Sequence, residues 1–320
     1  MTKVSTDLSV LIVGYRRAEN IAKILEICKM SGIKDIYLSI DGPKNENIVG
    51  LADYNQIIKV IEDFKMNFQG SFFSYIRKSN VGCAASVMSS CDWFFSQVNY
   101  GAVLEDDCIP SSSFFEFCKM VRMKISDNPS IWLACGTQFA PRELFLDSPI
   151  ISKYALTWGW VTSSKKWQLI KESMYSLEKV KYSKLHKPNA LDKIYWAAGS
   201  RRAYQGLTDV WDTVLVYRMQ LEGKFAILPS ENLVTNTGND FAATHTLNNS
   251  PFLNLKIGRV KEYNDVGRSR VVDNWIKKNV YSISARHFVT TRATHFADLL
   301  RNMHKPMNGL LKRWDDAKIF

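Results

Sequence analysis

Long apolar segments are missing from this sequence of 320 residues. The longest apolar runs, such as 10–13 and 102–104, have the length of a β-strand, whereas a helix needs about 20 apolar residues to cross a membrane. The first seven residues are polar and lack the basic region and apolar stretch of a secretory signal. We therefore expect a protein that stays in the cytoplasm.

Cysteine-based sites are missing too. The six cysteines form no C-x-x-C pair, and no His lies at zinc-finger spacing. We expect reduced, mostly buried thiols, because a disulfide framework suits small secreted domains rather than a cytoplasmic chain of this size.

The sequence also has no internal repeat and no low-complexity linker. Its 46% hydrophobic and 23% charged residues are ordinary for a globular protein, and its length suffices for one large or two modest domains. Disorder is therefore not expected.

The first half does contain an alternation of strand and helix patterns. Short apolar runs predict strands, and apolar residues at helical spacing predict the helices between them. Strands are predicted at 8–14, 36–40, 72–76, 102–104 and 131–135, and helices at 19–30, 51–68, 114–125 and up to Phe95. This alternation predicts an α/β fold with a mostly parallel, doubly wound sheet flanked by helices.

Four of these strands end at or near a glycine or a polar residue. These positions are Gly14, Asp41, Asn80 and Glu105. Parallel doubly wound sheets bind ligands beyond the carboxyl ends of their strands. These four positions are therefore expected to converge on one rim of the sheet.

The second half is less regular. A helix is predicted at 208–221, with Thr208 as its N-cap and Gly223 as its stop, and a strand at 225–228. From Lys256 onward the chain has 14 Lys and Arg against 6 Asp and Glu, which supplies +8 of the net charge of +11. This basic segment predicts an anionic partner, such as a membrane surface, a lipid-linked phosphate or nucleic acid; the alternative is a solvated basic face.

The strongest local signal is the acidic triplet Glu105, Asp106 and Asp107, directly after a predicted strand. Three adjacent carboxylates repel one another unless a cation, a ligand or water offsets the repulsion. Carboxylate oxygens suit Mg²⁺ and Mn²⁺, which can bridge to a diphosphate. On the triplet alone, a solvated acidic turn that caps the helix near Ser113 remains the alternative.

The other polar loop positions each have a structural alternative. Asp41 can contact a ribose or a base, or simply form a turn before Gly42. Tyr15 can cover a base and Arg16 or Arg17 can meet a phosphate, or all three can be solvated surface residues.

Further candidates lie at a helix start, in an aromatic cluster and in a polar loop. Asn80 and Gly82 precede a helix whose N-terminus can face a phosphate or sugar, although such turns are common. Trp158 and Trp160 can stack on a sugar acceptor or pack in the core. His245 lies in a polar loop and can complete a metal site or be an ordinary exposed residue.

Two aspartates in the second half can act in acid–base chemistry. Asp209 and Asp212 lie in the first turns of the predicted helix, where the helix dipole alone is a sufficient reason for them. The functional alternative is a general base that takes a proton from an acceptor hydroxyl. We prefer Asp212, which lies deeper in the helix than the cap, and place Asp209 second.

An ordered set of segments resembles a known family. These are LIVGYRR at 11–17, SIDGP at 39–43, NVGC at 80–83, LEDDCIPS at 104–111, WGW at 158–160, VWDT at 210–213, LPS at 228–230 and ATHT at 243–246. They occur in the order found in bacterial, family-2-like GT-A nucleotide-diphospho-sugar transferases, and the acidic triplet is similar to that of eukaryotic N-acetylglucosaminyltransferase I. The resemblance covers about 8–246.

The resemblance implies roles for several of these residues. Asp107 would be the direct ligand of Mn²⁺ or Mg²⁺, with Glu105 and Asp106 beside it. Asp41 would contact the nucleoside, and His245 would bind the metal or the diphosphate. Asp212 would be the base of an inverting enzyme that acts in polysaccharide or lipopolysaccharide biosynthesis.

The implied enzyme transfers one sugar from a nucleotide diphosphate sugar, expected to be a UDP-sugar, to a hydroxyl of a glycan or lipid-linked glycan. No Gln-x-x-Arg-Trp motif of processive synthases is present. The expected organisation is a GT-A domain over 1–250, with a nucleotide-binding half at 1–136 and an acceptor half at 137–250, followed by a basic extension at 251–320.

Two other functions remain open from the sequence. A sugar-1-phosphate nucleotidyltransferase can share such a core, but usually has a Gly-rich loop with a basic residue after the first strand, where this chain has a single glycine, Gly14. A non-catalytic protein whose extension binds a membrane or nucleic acid is the other alternative, because Trp275 and Trp314 lie among the cations.

Overall fold

The computed structural model describes residues 8–44, 48–145, 148–176, 190–238, 250–260, 263, 266–283, 305–307 and 309–317. The site residue His245 lies outside these ranges. In the described part of the chain, no helix is long and apolar enough to cross a membrane.

The first half alternates strands and helices, as the sequence predicted. The elements are β1 (Ser9–Gly14), α1 (Ala18–Met30), β2 (Asp35–Ile40), α2 (Ile48–Asn67), β3 (Ser71–Ile76), α3 (Cys83–Gln97) and β4 (Tyr100–Glu105). Strand β1 is buried along its whole length and pairs in parallel with both β2 and β4. The apolar face of α1, with Ile21, Ile24 and Leu25 fully buried, covers this strand layer because its apolar residues recur at helical spacing.

The remaining elements are shorter and pair over longer distances in sequence. They are β5 (Cys108–Pro110), α4 (Ser112–Met120), α5 (Arg122–Asp127), β6 (Ile131–Cys135), β7 (Ile150–Ser152), β8 (Trp160–Ser163), α6 (Ser164–Tyr175), α7 (Ala190–Tyr204), α8 (Asp212–Leu221), β9 (Phe225–Leu228), β10 (Val234–Asn236), β11 (Gly267–Arg268), α9 (Arg270–Asn279) and α10 (Gly309–Asp316).

The main sheet has nine described strands in the order β11-β7-β9-β6-β8-β4-β1-β2-β3. Most of its pairings are parallel; β8 pairs antiparallel with β4 and β6, and β7 pairs antiparallel with β9. Helices flank the sheet, so the predicted α/β fold with a mostly parallel, Rossmann-like sheet is confirmed. A separate two-stranded sheet joins β5 to β10.

Two predicted helix boundaries differ from the structure. The helix predicted at 208–221 begins at Asp212, with Trp211 rather than Thr208 at the N-cap position. The reason is that Asp209 turns away from this helix and bonds to the start of α3. The helix predicted at 114–125 is two helices, α4 and α5, which meet at Val121.

The described parts of the basic extension pack into the same core as the rest of the chain. Strand β11 extends the main sheet beside β7. Val272 and Ile276 of α9 and Trp314 of α10 are buried in the larger core cluster. Trp314 is 0% exposed, and its ring lies 4.3 Å from that of Tyr175, so this tryptophan has no surface to offer a membrane or nucleic acid.

Candidate functional site

A cleft of about 340 Å³ lies where β1, β2 and β4 end, beside the N-termini of α3 and α8. Strand order changes direction between β1 and β4, which is where open α/β sheets bind ligands. Eleven of the predicted site residues line it: Gly14, Tyr15, Asp41, Asn80, Gly82, Glu105, Asp106, Asp107, Trp158, Asp209 and Asp212. Predicted positions that are up to about 200 residues apart in sequence therefore share one cleft.

Two predicted site residues lie elsewhere. The guanidinium of Arg16 pairs with Asp53 of α2 at 2.7 Å and does not line the cleft. Trp160 is 1% exposed and packs against Trp167 and Trp211 in the core, so an acceptor has no access to it. Its position in β8, between β4 and β6, explains this burial.

Asp106 is bound by the loop that follows β1. Its Oδ2 accepts hydrogen bonds from the backbone N–H groups of Tyr15 at 2.7 Å and Arg16 at 3.3 Å. Its Oδ1 accepts one from Arg17 Nη1 at 2.8 Å. This buried carboxylate therefore fixes the loop after β1 against the end of β4.

Asp41 is bound by the loop before α3. Its carboxylate accepts hydrogen bonds from the N–H groups of Gly42, Val81 and Gly82 and from Asn80 Nδ2, at 2.9–3.2 Å. A carboxylate has about four lone-pair sites, so these donors fill its capacity. Burial raises the pKa of Asp41, while the N–H donors oppose that shift.

Asp209 caps α3 rather than its own helix. Its two oxygens accept hydrogen bonds from the N–H groups of Cys83 at 2.8 Å and Ala84 at 3.2 Å. The approach requires glycine at 82, where φ is +91° and a Cβ atom would lie 2.6 Å from Asp209 Oδ2. Arg313 of α10 lies 3.9 Å from the same carboxylate, which links the extension to the cleft.

Asp41, Asp106 and Asp209 form one set, which we call the amide-bound carboxylates. Together they accept the N–H groups of Tyr15 and Arg16 in the loop after β1 and those of residues 81–84. These are the groups that a helix N-terminus or a glycine-rich loop would otherwise offer to a phosphate. A diphosphate in this cleft must therefore find its positive charge elsewhere.

Glu105, Asp107 and Asp212 form the other set, which we call the cleft-facing carboxylates. Among the described residues, Glu105 has no hydrogen-bond partner for its side chain. Asp107 accepts a hydrogen bond from Cys108 Sγ at 3.2 Å, and the exposed Asp212 accepts one from the N–H of Thr213 at 2.7 Å. In contrast to the first set, Glu105 and Asp107 accept no hydrogen bond from a backbone N–H of the described residues.

The cleft-facing carboxylates also repel one another. Burial raises the pKa of Glu105 well above its usual range, and the nearby charges of Asp107 and Asp212 raise it further, while Arg17 opposes them. Burial and Asp106 likewise raise the pKa of Asp107. A bound cation would relieve this repulsion, because it favours the charged form of each carboxylate.

Arg17 and Lys44 are the cationic side chains that line the cleft in the described part of the chain. Arg17 Nη1 lies 2.8 Å from Asp106 Oδ1 and 3.8 Å from Asp107 Oδ2, so its guanidinium stands at the acidic triplet. Of the two adjacent arginines, Arg16 was predicted as the site residue, but it is Arg17 that lines the cleft.

Asn236 is a cleft residue that the sequence interpretation missed. It lies opposite Cys108 in the β5–β10 pairing, and its side chain bonds to the N–H of Gly238 at 2.8 Å and helps to lower the pKa of Asp107. Thr237 donates its N–H to the Asp107 carbonyl at 2.8 Å. The other lining residues that the sequence did not point to are Val13, Lys44, Cys83, Ser86, Val87, Thr157, Val210 and Trp211.

The donor set is compatible with a hard divalent cation. The described residues contain no group of three or more His, Cys, Asp or Glu side chains arranged to hold a metal by themselves. Mg²⁺ does not need such a group, because it keeps several waters and binds through one or two carboxylates plus phosphates. Asp107 and Glu105 supply oxygen ligands of the kind that Mg²⁺ and Mn²⁺ prefer, and they fit a cation shared with a diphosphate.

Comparison with known proteins assigns no family to this chain. No family model matches the sequence, and no curated protein matches it. Among solved structures, a UDP-glucose pyrophosphorylase complexed with UDP-glucose is similar, with a TM-score of 0.38 and 10% sequence identity over 70% of this chain and 90% of that chain. A likeness at this level says nothing about activity, so the functional conclusion has to come from the cleft.

Proposed function

We propose that this protein is a metal-dependent glycosyltransferase of the GT-A type, which transfers one sugar from a UDP-sugar to a hydroxyl of a glycan or lipid-linked glycan. The observation that carries the proposal is the placement of Glu105, Asp107 and Asp212 in one cleft beside Arg17. A diphosphate donor needs a cation and a basic side chain at its phosphates, and an acceptor needs a base at its hydroxyl.

Asp107, with Glu105 beside it, would hold Mn²⁺ or Mg²⁺. The cation, when bound, neutralises charge on the departing diphosphate as a Lewis acid. Arg17 supports the same group, because a guanidinium pairs well with phosphate oxygens and stands 3.8 Å from Asp107 Oδ2. The cation is needed because the N–H groups around the cleft are occupied by Asp41, Asp106 and Asp209.

Asp212 is the proposed general base. It is exposed in the cleft at the start of α8, whereas both Asp209 oxygens hold the start of α3. Asp212 takes the proton from the acceptor hydroxyl as that oxygen bonds to the anomeric carbon. The bond from the anomeric carbon to the diphosphate breaks on the opposite side, so the configuration inverts and the nucleoside diphosphate leaves. The half-buried ring of Trp158 offers the acceptor an apolar face.

The alternative activity, a sugar-1-phosphate nucleotidyltransferase, needs a triphosphate at the loop after β1. The N–H groups of Tyr15 and Arg16 in this loop already bond to Asp106. This occupation favours the glycosyltransferase, because a triphosphate would compete with a buried carboxylate for the same donors.

A screen of nucleotide sugars tests the proposal. Each nucleotide sugar is incubated with the protein and Mn²⁺, and the released nucleoside diphosphate is measured, with Asp107→Asn as the matched variant. We expect Mn²⁺-dependent release of UDP from a UDP-sugar and a large loss in the variant. Release of pyrophosphate from a nucleoside triphosphate and a sugar 1-phosphate, with no turnover of any nucleotide sugar, would instead establish the nucleotidyltransferase.

The described part of the extension supports a peripheral contact with an anionic membrane, where a lipid-linked acceptor would lie. Its exposed cations are Lys256, Arg259, Arg268, Arg270, Lys278, Lys305, Lys312 and Arg313. The test is pelleting with vesicles that contain anionic lipid, compared with neutral vesicles and with duplex DNA in high and low salt. We expect salt-sensitive binding to the anionic vesicles; binding to DNA alone would contradict the membrane contact.

A further inference from the structure

Ser86 is a buried residue of the cleft whose hydroxyl has no partner. The side chain lies in the second turn of α3, is 3% exposed, and lines the cleft. No described residue hydrogen-bonds to its Oγ, and this atom is closed to water in the free protein, so a ligand can bond to it only when the side chains above it move aside. A buried hydroxyl without a hydrogen-bond partner lowers stability by roughly 1–3 kcal/mol. Because Ser86 lies beside the cleft, a ligand in the cleft is a candidate for the missing partner.

The neighbouring serines of α3 differ from Ser86 in this respect. Ser90 Oγ lies 2.7 Å from Ser39 Oγ and 2.6 Å from the Ser86 carbonyl oxygen. Ser89 Oγ accepts a hydrogen bond from Arg77 Nη2 at 2.7 Å. The lack of a partner is therefore specific to the serine that reaches the cleft.

The position of Ser86 follows from the contact made by Ser90. Ser90 lies against Ser39 of β2, and Ser86 is one helical turn, about 5.4 Å, nearer to the start of α3. That direction leads to the carboxyl end of β2, where Asp41 and the loop at 80–82 stand. Ser86 therefore lies under the part of the cleft between β1, β2 and α3.

The family resemblance implied that Asp41 would contact the nucleoside at this place. Four donors of the protein already fill its carboxylate, so it has little capacity left for a base N–H or a ribose hydroxyl. Ser86 differs from Asp41, because its hydroxyl group can donate one hydrogen bond and accept others but does neither in the free protein.

We propose that Ser86 is the side chain that hydrogen-bonds to the nucleoside of the donor, and that Asp41 is a positioning residue that holds the loop at 80–82 over it. This inference rests on the proposed function, which supplies the nucleotide. The recognised group is the base edge or a ribose hydroxyl, and the diphosphate stays at Arg17 and the cleft-facing carboxylates.

The inference predicts opposite effects on stability and on binding. Ser86→Ala removes a hydroxyl that has no partner in the free protein, so the melting temperature should stay the same or rise. The same change removes one hydrogen bond to the nucleotide, which weakens binding roughly 2- to 12-fold. Ser90→Ala is the matched control, since it breaks two bonds within the protein, lowers the melting temperature and leaves nucleotide affinity unchanged.

The experiment is calorimetric titration of wild type, Ser86→Ala and Ser90→Ala with UDP, CDP, GDP and ADP in Mn²⁺, together with thermal unfolding of each free protein. Inorganic pyrophosphate, which has no nucleoside, serves as a second probe. Weaker binding of the preferred nucleotide by Ser86→Ala, with unchanged affinity for pyrophosphate, supports the inference.

Unchanged nucleotide affinity in Ser86→Ala would overturn the inference and leave the proposed function standing. A lower melting temperature of free Ser86→Ala together with unchanged affinity would assign the hydroxyl a purely structural contact. If wild type binds none of the four nucleotides, the proposed function and this inference fall together.

Discussion

The amide-bound carboxylates and the cleft-facing carboxylates are chemically alike and close together, yet they are bound very differently. Asp106 and Asp107 are adjacent in sequence, but the first accepts bonds from two backbone N–H groups and Arg17, while the second accepts bonds from the Cys108 thiol and the Asn236 side chain. Asp209 and Asp212 are three residues apart, but Asp209 accepts bonds from the start of α3, whereas Asp212 accepts one from its own neighbour Thr213. The hydrogen-bond donors around each carboxylate, rather than the residue type, therefore separate the two sets.

The two sets should therefore respond to mutation in opposite ways. Removing an amide-bound carboxylate leaves buried N–H groups without partners, which lowers stability. Removing a cleft-facing carboxylate relieves repulsion, which preserves stability and lowers activity. The following variants test this contrast, beginning with the largest expected effect.

Asp212→Asn should lower turnover about 10²- to 10⁴-fold, because the amide cannot accept the acceptor's proton. The Asn side chain can still accept the bond from Thr213 N–H, so the fold of α8 should be unchanged. The measurement is the single-turnover rate with bound donor. Near-normal turnover in this variant, with a large loss in Asp209→Asn, would exchange the roles of the two residues.

Asp106→Ala should lower the free energy of unfolding by about 3–5 kcal/mol, because it strips a buried carboxylate from Arg17 and two N–H groups. The measurement is urea unfolding, with Asp107→Ala as the matched control at the next position. Equal losses in both variants would show that the two carboxylates are not distinguished by their donors.

Asp209→Ala should lower the free energy of unfolding by about 1 kcal/mol, the usual effect of losing a helix N-cap. The lost bonds are those to Cys83 and Ala84 N–H at the start of α3. Hydrogen exchange should quicken at the first turn of α3 and stay unchanged in α8. Faster exchange in α8 instead would show that Asp209 stabilises the helix in whose first turn the sequence placed it.

Asp107→Asn should raise the stability of the metal-free protein by up to about 1 kcal/mol. Glu105 and Asp107 have raised pKa values in the folded protein, so their protonated forms stabilise it. This contribution is complete below the pKa values of the unfolded chain and is lost as the pH rises through the pKa values of the folded protein. The gain from the variant should therefore be larger at about pH 8 than at about pH 5. The stability of both proteins is measured by thermal unfolding. If the stability gain of Asp107→Asn becomes smaller as the pH rises, the carboxylates do not repel one another as described.

The alternating half of the fold could be predicted from the sequence because each strand or helix there is signalled by its own residues. β1, β2, β3 and β6 lie within one residue of their predicted bounds. The convergence of Gly14, Asp41, Asn80 and Glu105 also followed, since parallel strands bring their carboxyl ends to one edge.

The donors of the carboxylates could not be predicted. Asp209 bonds to residues about 125 positions earlier, whereas its own neighbours predicted only a place in the first turn of the helix that follows it. Asn236 reaches the site through the β5–β10 pairing, which joins segments about as far apart. The choice between Arg16 and Arg17 depends on Asp53 in α2. The burial of Trp160 against Trp211, and of Trp314 against Tyr175, depends on residues that are distant in sequence.

The most direct test of the account is the metal dependence of nucleotide binding. UDP is titrated calorimetrically into wild type and Asp107→Asn, each with Mn²⁺ and with a chelator. Wild type should bind UDP roughly tenfold or more tightly with Mn²⁺, and the variant should lose that difference while it remains folded. Equal, metal-independent binding of UDP by both proteins would contradict the role of the cleft-facing carboxylates.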